Sequence, residues 1–205
     1  VEDTLLALGQ GFLDANPDLE VRLNGTNEVT DFTRETVDVE IRHGRGQWPG
    51  LYTEGLAEEL FFPVCHPDYA AAGSLDAEEL VHHRLIQSVK SQVQWPTWFS
   101  LNRITPPNQM KRVLFDRSHM AIDAATDGIG LALESSLMMW RELREGRLVC
   151  PVANPPRVIQ TTQWVVCPVD SLRKKKVSLF LDWLREEVRQ WQAHQFIPPG
   201  LRELR

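Results

Sequence analysis

Short apolar segments of two different periods alternate along this chain, and that alternation restricts its fold more than any other feature. Leu19, Val21 and Leu23 alternate with Glu20 and Arg22, and Val37, Val39 and Ile41 alternate with Asp38 and Glu40, the period-two mark of half-buried strands. Ahead of them Leu5, Leu8 and Phe12 recur at helical spacing behind Asp3-Thr4, and Asn16-Pro17 ends the run, because a residue before proline avoids helical angles. Leu60-Phe61-Phe62-Pro63-Val64-Cys65 is apolar without alternation and predicts a central strand covered on both faces. Strands and helices taking turns predict α/β layers with parallel strands.

The second half repeats the pattern. A short helix is expected from Gly73-Ser74 toward Leu80, strands at Leu85-Ile86 and Val113 to Phe115, and an apolar stretch from Trp95 to Phe99. Asp116 or Ser118 can cap a helix whose small face is Met120, Ala121, Ala124 and Ala125, with Gly128 as its left-handed stop. Ile129 to Leu133 follows as a strand, Leu137, Trp140 and Leu143 as a helix ending at Gly146, Leu148 to Cys150 as a strand, and Thr161 to Cys167 as another. Val177, Phe180, Leu181, Leu184, Val188 and Trp191 form the strongest amphipathic helix. Its leading Arg173-Lys174-Lys175-Lys176 sits at the positive end of the helix dipole, which is tolerable if water solvates it, or else marks a phosphate or partner contact.

Composition removes several classes of function. With 22 Lys plus Arg against 28 Asp plus Glu the formal charge is −6, so this stretch repels a phosphate backbone, and any DNA must be held by another segment. The longest apolar runs fall far short of the roughly 20 residues needed to cross a bilayer. Cys65, Cys150 and Cys167 are odd in number and lack C-x-x-C spacing, which argues against a disulfide framework or zinc site and fits a reducing cytoplasm. Each reads as a small buried hydrophobe. His82-His83, Cys65-His66 and Asp116 are raw material for catalysis, but no metalloprotease, nucleophile-elbow or phosphate-loop motif accompanies them. No catalytic residue, metal or cofactor is assigned.

Two stretches match each other: Phe61 to Pro67 and Trp164 to Pro168 are apolar strands ending in a cysteine near a proline, as paired crossovers between two lobes would be. This arrangement resembles the type II periplasmic-binding-protein fold that LysR-type transcription regulators use to sense effectors. Local resemblances to that family come in its order along nearly the whole chain: Phe12 to Leu19, Val37 to Gly44, Phe62 to Pro67, Trp95 to Trp98, Ala124 to Leu133, Gly146 to Pro151 and Phe180 to Glu187. The pair Trp95 and Trp98 is similar to one in the glycine-cleavage-activator-like branch.

The resemblance implies an α/β fold of two lobes joined by two crossover strands. Residues 1–65 and 168–195 are expected in lobe I and 66–167 in lobe II, with 196–205 as an extension. It implies a domain that binds a small, carboxylate-bearing effector in the interlobe cleft, forms a homodimer or homotetramer in the cytoplasm, and reaches DNA through an N-terminal winged helix-turn-helix expected upstream of Val1. The family's first strand is expected upstream as well. An exported solute-binding protein is the alternative, and a small-molecule enzyme on the same fold the third reading.

The residues offer candidate ligand contacts. A helix starting near Ser118 presents unpaired backbone N–H groups suited to a carboxylate, with the Ser118 hydroxyl able to cap or to donate. Thr26 and Asn27, in the loop after a strand, can face a ligand or simply form a turn. By resemblance His119, Arg42, His43 and Gln163 join them, Arg42 having a salt bridge as its alternative role. Trp95 can wall a cleft or pack in a core.

Overall fold

The computed structural model describes residues 11–26, 28–156 and 158–198. The chain divides into two compact units. The first, here the terminal unit, comprises Val1–Glu58 and Thr161–His194; the second, the central unit, comprises Glu59–Gln160 and the chain from Gln195 onward. The stretch Leu60 to Cys65 falls in the central unit and Gln163 to Cys167 in the terminal unit.

In the terminal unit β1 (Glu40–His43), β2 (Leu51–Gly55) and β8 (Gln163–Pro168) form an antiparallel sheet in the order β1-β8-β2. The long helix, α4 (Lys175–Ala193), lays its apolar stripe on that sheet: Val177, Leu181 and Leu184 are buried with Val165, and Phe180, Trp183 and Val188 flank them. Burying each such side chain is worth about 1.5–3 kcal/mol. Of the expected helix over Leu5, Leu8 and Phe12, Leu5 and Leu8 lie outside the described residues; residues 11–15 are helical, and Phe12 contributes a ring 5.8 Å from Phe180 and 5.2 Å from Trp183. Leu19 to Leu23 is not a strand: Leu19 is half-buried and the rest exposed, and the segment joins no ladder among the described residues. The four basic residues Arg173 to Lys176, which lead into α4 and begin its first turn, are exposed, and Lys174 and Lys176 both pair with Asp38, the solvated arrangement.

The central unit has a five-stranded sheet in the order β5-β4-β6-β3-β7, made of β5 (Arg112–Phe115), β4 (Leu85–Ser88), β6 (Leu131–Ser135), β3 (Glu59–Val64) and β7 (Val158–Gln160). β4 runs parallel to β5 and β6, while β3 is antiparallel to β6 and β7, so the sheet is mixed rather than wholly parallel. Every residue of β3 is buried, as its unbroken apolar run requires. α1 (Trp95–Leu101), α2 (Ser118–Thr126) and the short α3 (Trp140–Arg144) follow strands or loops of this sheet. The stretch from Gly73 gives a 3-10 turn at Ala77–His82, and Leu148 to Cys150 contributes only an isolated bridge of Val149 to Cys65.

Two glycines shape the approach to β6. Gly128 ends α2 at φ +72°, the left-handed region that favours glycine. Gly130 lies against the backbone of Arg84 so closely that an added Cβ would stand 2.3 Å from its carbonyl oxygen, which lets Leu131 N–H donate to that same oxygen at 2.9 Å. Past α4 the chain rejoins the central unit: Gln195 Nε2 donates to Ser136 Oγ at 2.6 Å, and the Phe196 ring lies 6.0 Å from that of Phe62. Of the stretch expected as a C-terminal extension, 196–205, Phe196 packs in the central unit.

Candidate functional site

Because β4, β5 and β6 are parallel, their C-terminal ends share one edge of the central sheet, and α2 starts there directly after β5. In open α/β sheets this edge is where helix N-termini and strand ends converge on a ligand. Arg117 is the N-cap residue, in extended conformation, and no side chain caps the helix; its first turn also carries no acidic residue. The leading N–H groups of α2 thus keep the donor capacity and partial positive charge of an open helix end. Ser118 is the first helical residue and is half-buried, while His119 beside it is exposed. Ser118 does not cap α2. Its hydroxyl lies close enough to Glu134, near the end of β6, to favour the ionised form of that carboxyl.

Glu134 is 2% exposed, and its Oε1 has no hydrogen-bond partner among the described residues. Burial pushes its carboxyl up to about 7; the Ser118 hydroxyl and the Ser135 backbone oppose that rise, and the nearby Glu59 of β3 adds to it. Sequence reasoning missed Glu134, although the signal was present: a lone acid inside the apolar run Leu131-Ala132-Leu133 and its continuation. A buried carboxyl without full hydrogen bonding is costly, and such groups concentrate at functional sites.

The remaining expected contacts fall into two sets. In the terminal unit, His43 and Gln163 are register partners on β1 and β8, with Gln163 Nε2 3.0 Å from His43 Nδ1. Arg42 adjoins them but is engaged: it is 7% exposed, makes a two-pronged pair with Glu40 and lies 5.1 Å over the Trp48 ring. That is the salt-bridge role rather than an anion clamp. Thr26 is exposed, and its Oγ1 accepts the Glu28 N–H at 3.0 Å as a turn residue does; Asn27 lies outside the described residues.

In the central unit, Trp95 corrects the expectation of an aromatic wall. It is 1% exposed, its Nε1 donates to Ile86 O at 2.9 Å, and its ring stacks on Phe99 at 5.5 Å, so it is core. The three cysteines are buried, and burial pushes the thiols of Cys65 to about 11 and Cys150 to about 12, which keeps them un-ionised and inert. His83 Nδ1 lies 3.2 Å from the Tyr69 hydroxyl, and no metal-binding cluster occurs among the described residues. No helix among them is long and apolar enough to cross a membrane.

These features define a mixed α/β domain with an open helix end at the strand termini, and the family follows from the chain's match to the LysR substrate binding domain over residues 2–189. The chain belongs to that family. It is 36% identical over 179 residues to the HTH-type transcriptional regulator PerR of Escherichia coli K12, covering 86% of this chain and 59% of that protein. It is 32% identical over 175 residues to the glycine cleavage system transcriptional activator of the same organism, covering 84% and 57%. Among solved structures, the effector domain of the regulator AmpR of Pseudomonas aeruginosa superimposes with a TM-score of 0.77 at 26% identity, covering 93% of this chain and 91% of that one. The chain therefore spans less than two thirds of the full-length regulators it matches. The fold is the type II periplasmic-binding-protein-like architecture of LysR effector domains, and its relatives are transcriptional regulators.

Proposed function

We propose that this domain senses a small carboxylate-bearing effector at the open end of α2, and that binding shifts the populations of its conformations so as to control a DNA-binding domain carried elsewhere in the intact regulator. The observation that carries the reading is the uncapped first turn of α2, with no acidic residue in it and Ser118 half-buried at the sheet edge. A carboxylate there accepts from backbone N–H groups and meets the positive end of the helix dipole. His119 adjoins the same end; within the terminal unit Thr26, Asn27, His43 and Gln163 are proposed as ligand contacts in their own right.

The domain acts as a sensor rather than an enzyme, in a homodimer or homotetramer working in the cytoplasm. The regulator relatives and the buried, un-ionised thiols support this reading. It predicts that Ser118→Ala lowers effector affinity about tenfold, the loss of one well-formed polar contact and its positioning. The melting temperature changes little. Isothermal calorimetry with the best ligand from a screen of carboxylic and amino acids checks it, and unchanged affinity overturns it.

A further inference from the structure

The chain passes between its two units three times: from Glu58 to Glu59, from Gln160 to Thr161 and from His194 to Gln195. The first two passages lie side by side, because Glu59 and Gln160 are register partners on β3 and β7. Sheet ladders anchor both, so neither lets go without unpairing a strand. The third passage is held differently. Gln195 Nε2 donates to Ser136 Oγ at 2.6 Å, and the same oxygen accepts the Leu60 N–H at 3.1 Å, which sets Gln195 beside the start of β3. Next to it the Phe196 ring, 37% exposed, lies 6.0 Å from that of the wholly buried Phe62. Residues 195–198 join no ladder.

One side-chain hydrogen bond and one ring contact are a weak hold. Together they let the segment open in on the order of one molecule in ten to one in a hundred. The passage also has no slack, since His194 caps the C-terminal end of α4 and Gln195 follows it directly. A helix seated on the terminal sheet is thereby tied, without a linker residue, to the edge of the central sheet where β6 ends and β3 begins. Two adjacent strands by themselves make a hinge that bends and twists, and a third attachment beside them resists both motions while it is closed.

We propose that Gln195 and Phe196 form a releasable clasp on the hinge at Glu59 and Gln160: closed, it limits the movement of one unit against the other, and open, it frees that movement. Ser136 follows β6 at the sheet edge where α2 begins, two strand spacings from β5, roughly 10 Å. The clasp therefore shares an edge with the open end of α2, but it operates with or without a ligand there.

The test uses the purified chain with spin labels at Lys175→Cys in the terminal unit and Thr97→Cys in the central unit, both exposed positions; Cys65, Cys150 and Cys167 are buried and stay unlabelled. Pulsed electron spin resonance reads the distribution of distances between the labels. Joint replacement Gln195→Ala and Phe196→Ala should raise the open fraction about tenfold or more and widen that distribution, while circular dichroism stays that of the wild type. Ile197→Ala is the control, because Ile197 lies in the same segment with its side chain exposed, and it should leave the distribution unchanged.

A folded double variant with the wild-type distribution overturns the clasp. Equal widening by Ile197→Ala overturns it as well, since the effect would then belong to the segment at large. If the double variant does not fold, Gln195→Ala alone, which removes only the hydrogen bond, decides by the same measurement: a widened distribution supports the clasp, and an unchanged one overturns it.

Discussion

Both units pair charges at their surfaces, as Arg147 does with Glu142 and Glu145 in the central unit, but they differ in what they do with a buried one. In the terminal unit the well-placed charges meet counter-charges within the fold: Arg42 with Glu40, Arg185 with Glu54 and Asp182, and Lys174 and Lys176 with Asp38. Tyr52 joins by donating to Glu54, and the Arg185 guanidinium holds the Glu54 carboxyl below its ordinary range. In the central unit the buried Glu134 carboxyl lies at a strand end with one oxygen unpartnered and its p Ka raised. Paired charges bind elements of a fold to one another, whereas a buried charge left partly unpaired costs stability and is explained by a task that needs it.

The largest expected effect tests the central unit. Glu134 holds its proton more tightly when folded, at about 7 against an ordinary 4.5, so its stability contribution is full below about pH 4.5 and is lost as pH rises through 7. The wild type should lose on the order of 3 kcal/mol relative to Glu134→Gln between about pH 5 and about pH 8. Urea unfolding of both across that range measures it. Parallel pH profiles would mean that Glu134 is already satisfied when folded, and the contrast between the units would disappear.

Arg42→Ala comes next. It uncovers the Trp48 face and leaves a mostly buried Glu40 carboxylate alone, a loss of about 2 kcal/mol. A shifted urea midpoint with unchanged ligand affinity sharpens the contrast. Unchanged stability with lost affinity would give Arg42 to the site after all. Arg185→Ala should be the mildest, under about 1 kcal/mol, because the pair with Glu54 is partly exposed and solvent screens it. A loss well beyond that in a thermal melt would show that α4 depends on this pair for its seat on β2.

The elements legible in the chain were those whose pattern is local. α4 shows its stripe at helical spacing, β3 its unbroken apolar run, and α2 its small face and Gly128 stop, so these segments specify their own structure. The ordered resemblances across the chain were equally readable, and they carried the family. β2 and β7 escaped notice because Leu51–Gly55 and Val158–Gln160 are short and become strands only through β8 and β3. Leu19 to Leu23 erred the other way, with the right alternation and no ladder to join.

The site divides along the same line. Ser118 at a helix start could be read from its neighbours, since a helix end is a property of a few consecutive residues. That Glu134 would be shut away with an unpartnered oxygen, that Arg42 would be engaged by Glu40 and Trp48, and that Trp95 would vanish into the core were settled by the tertiary fold alone. Periodicity tells a segment which face to bury. Which polar atoms are then shut away from water, and which of them find partners, depends on residues far apart in the chain arriving at one place.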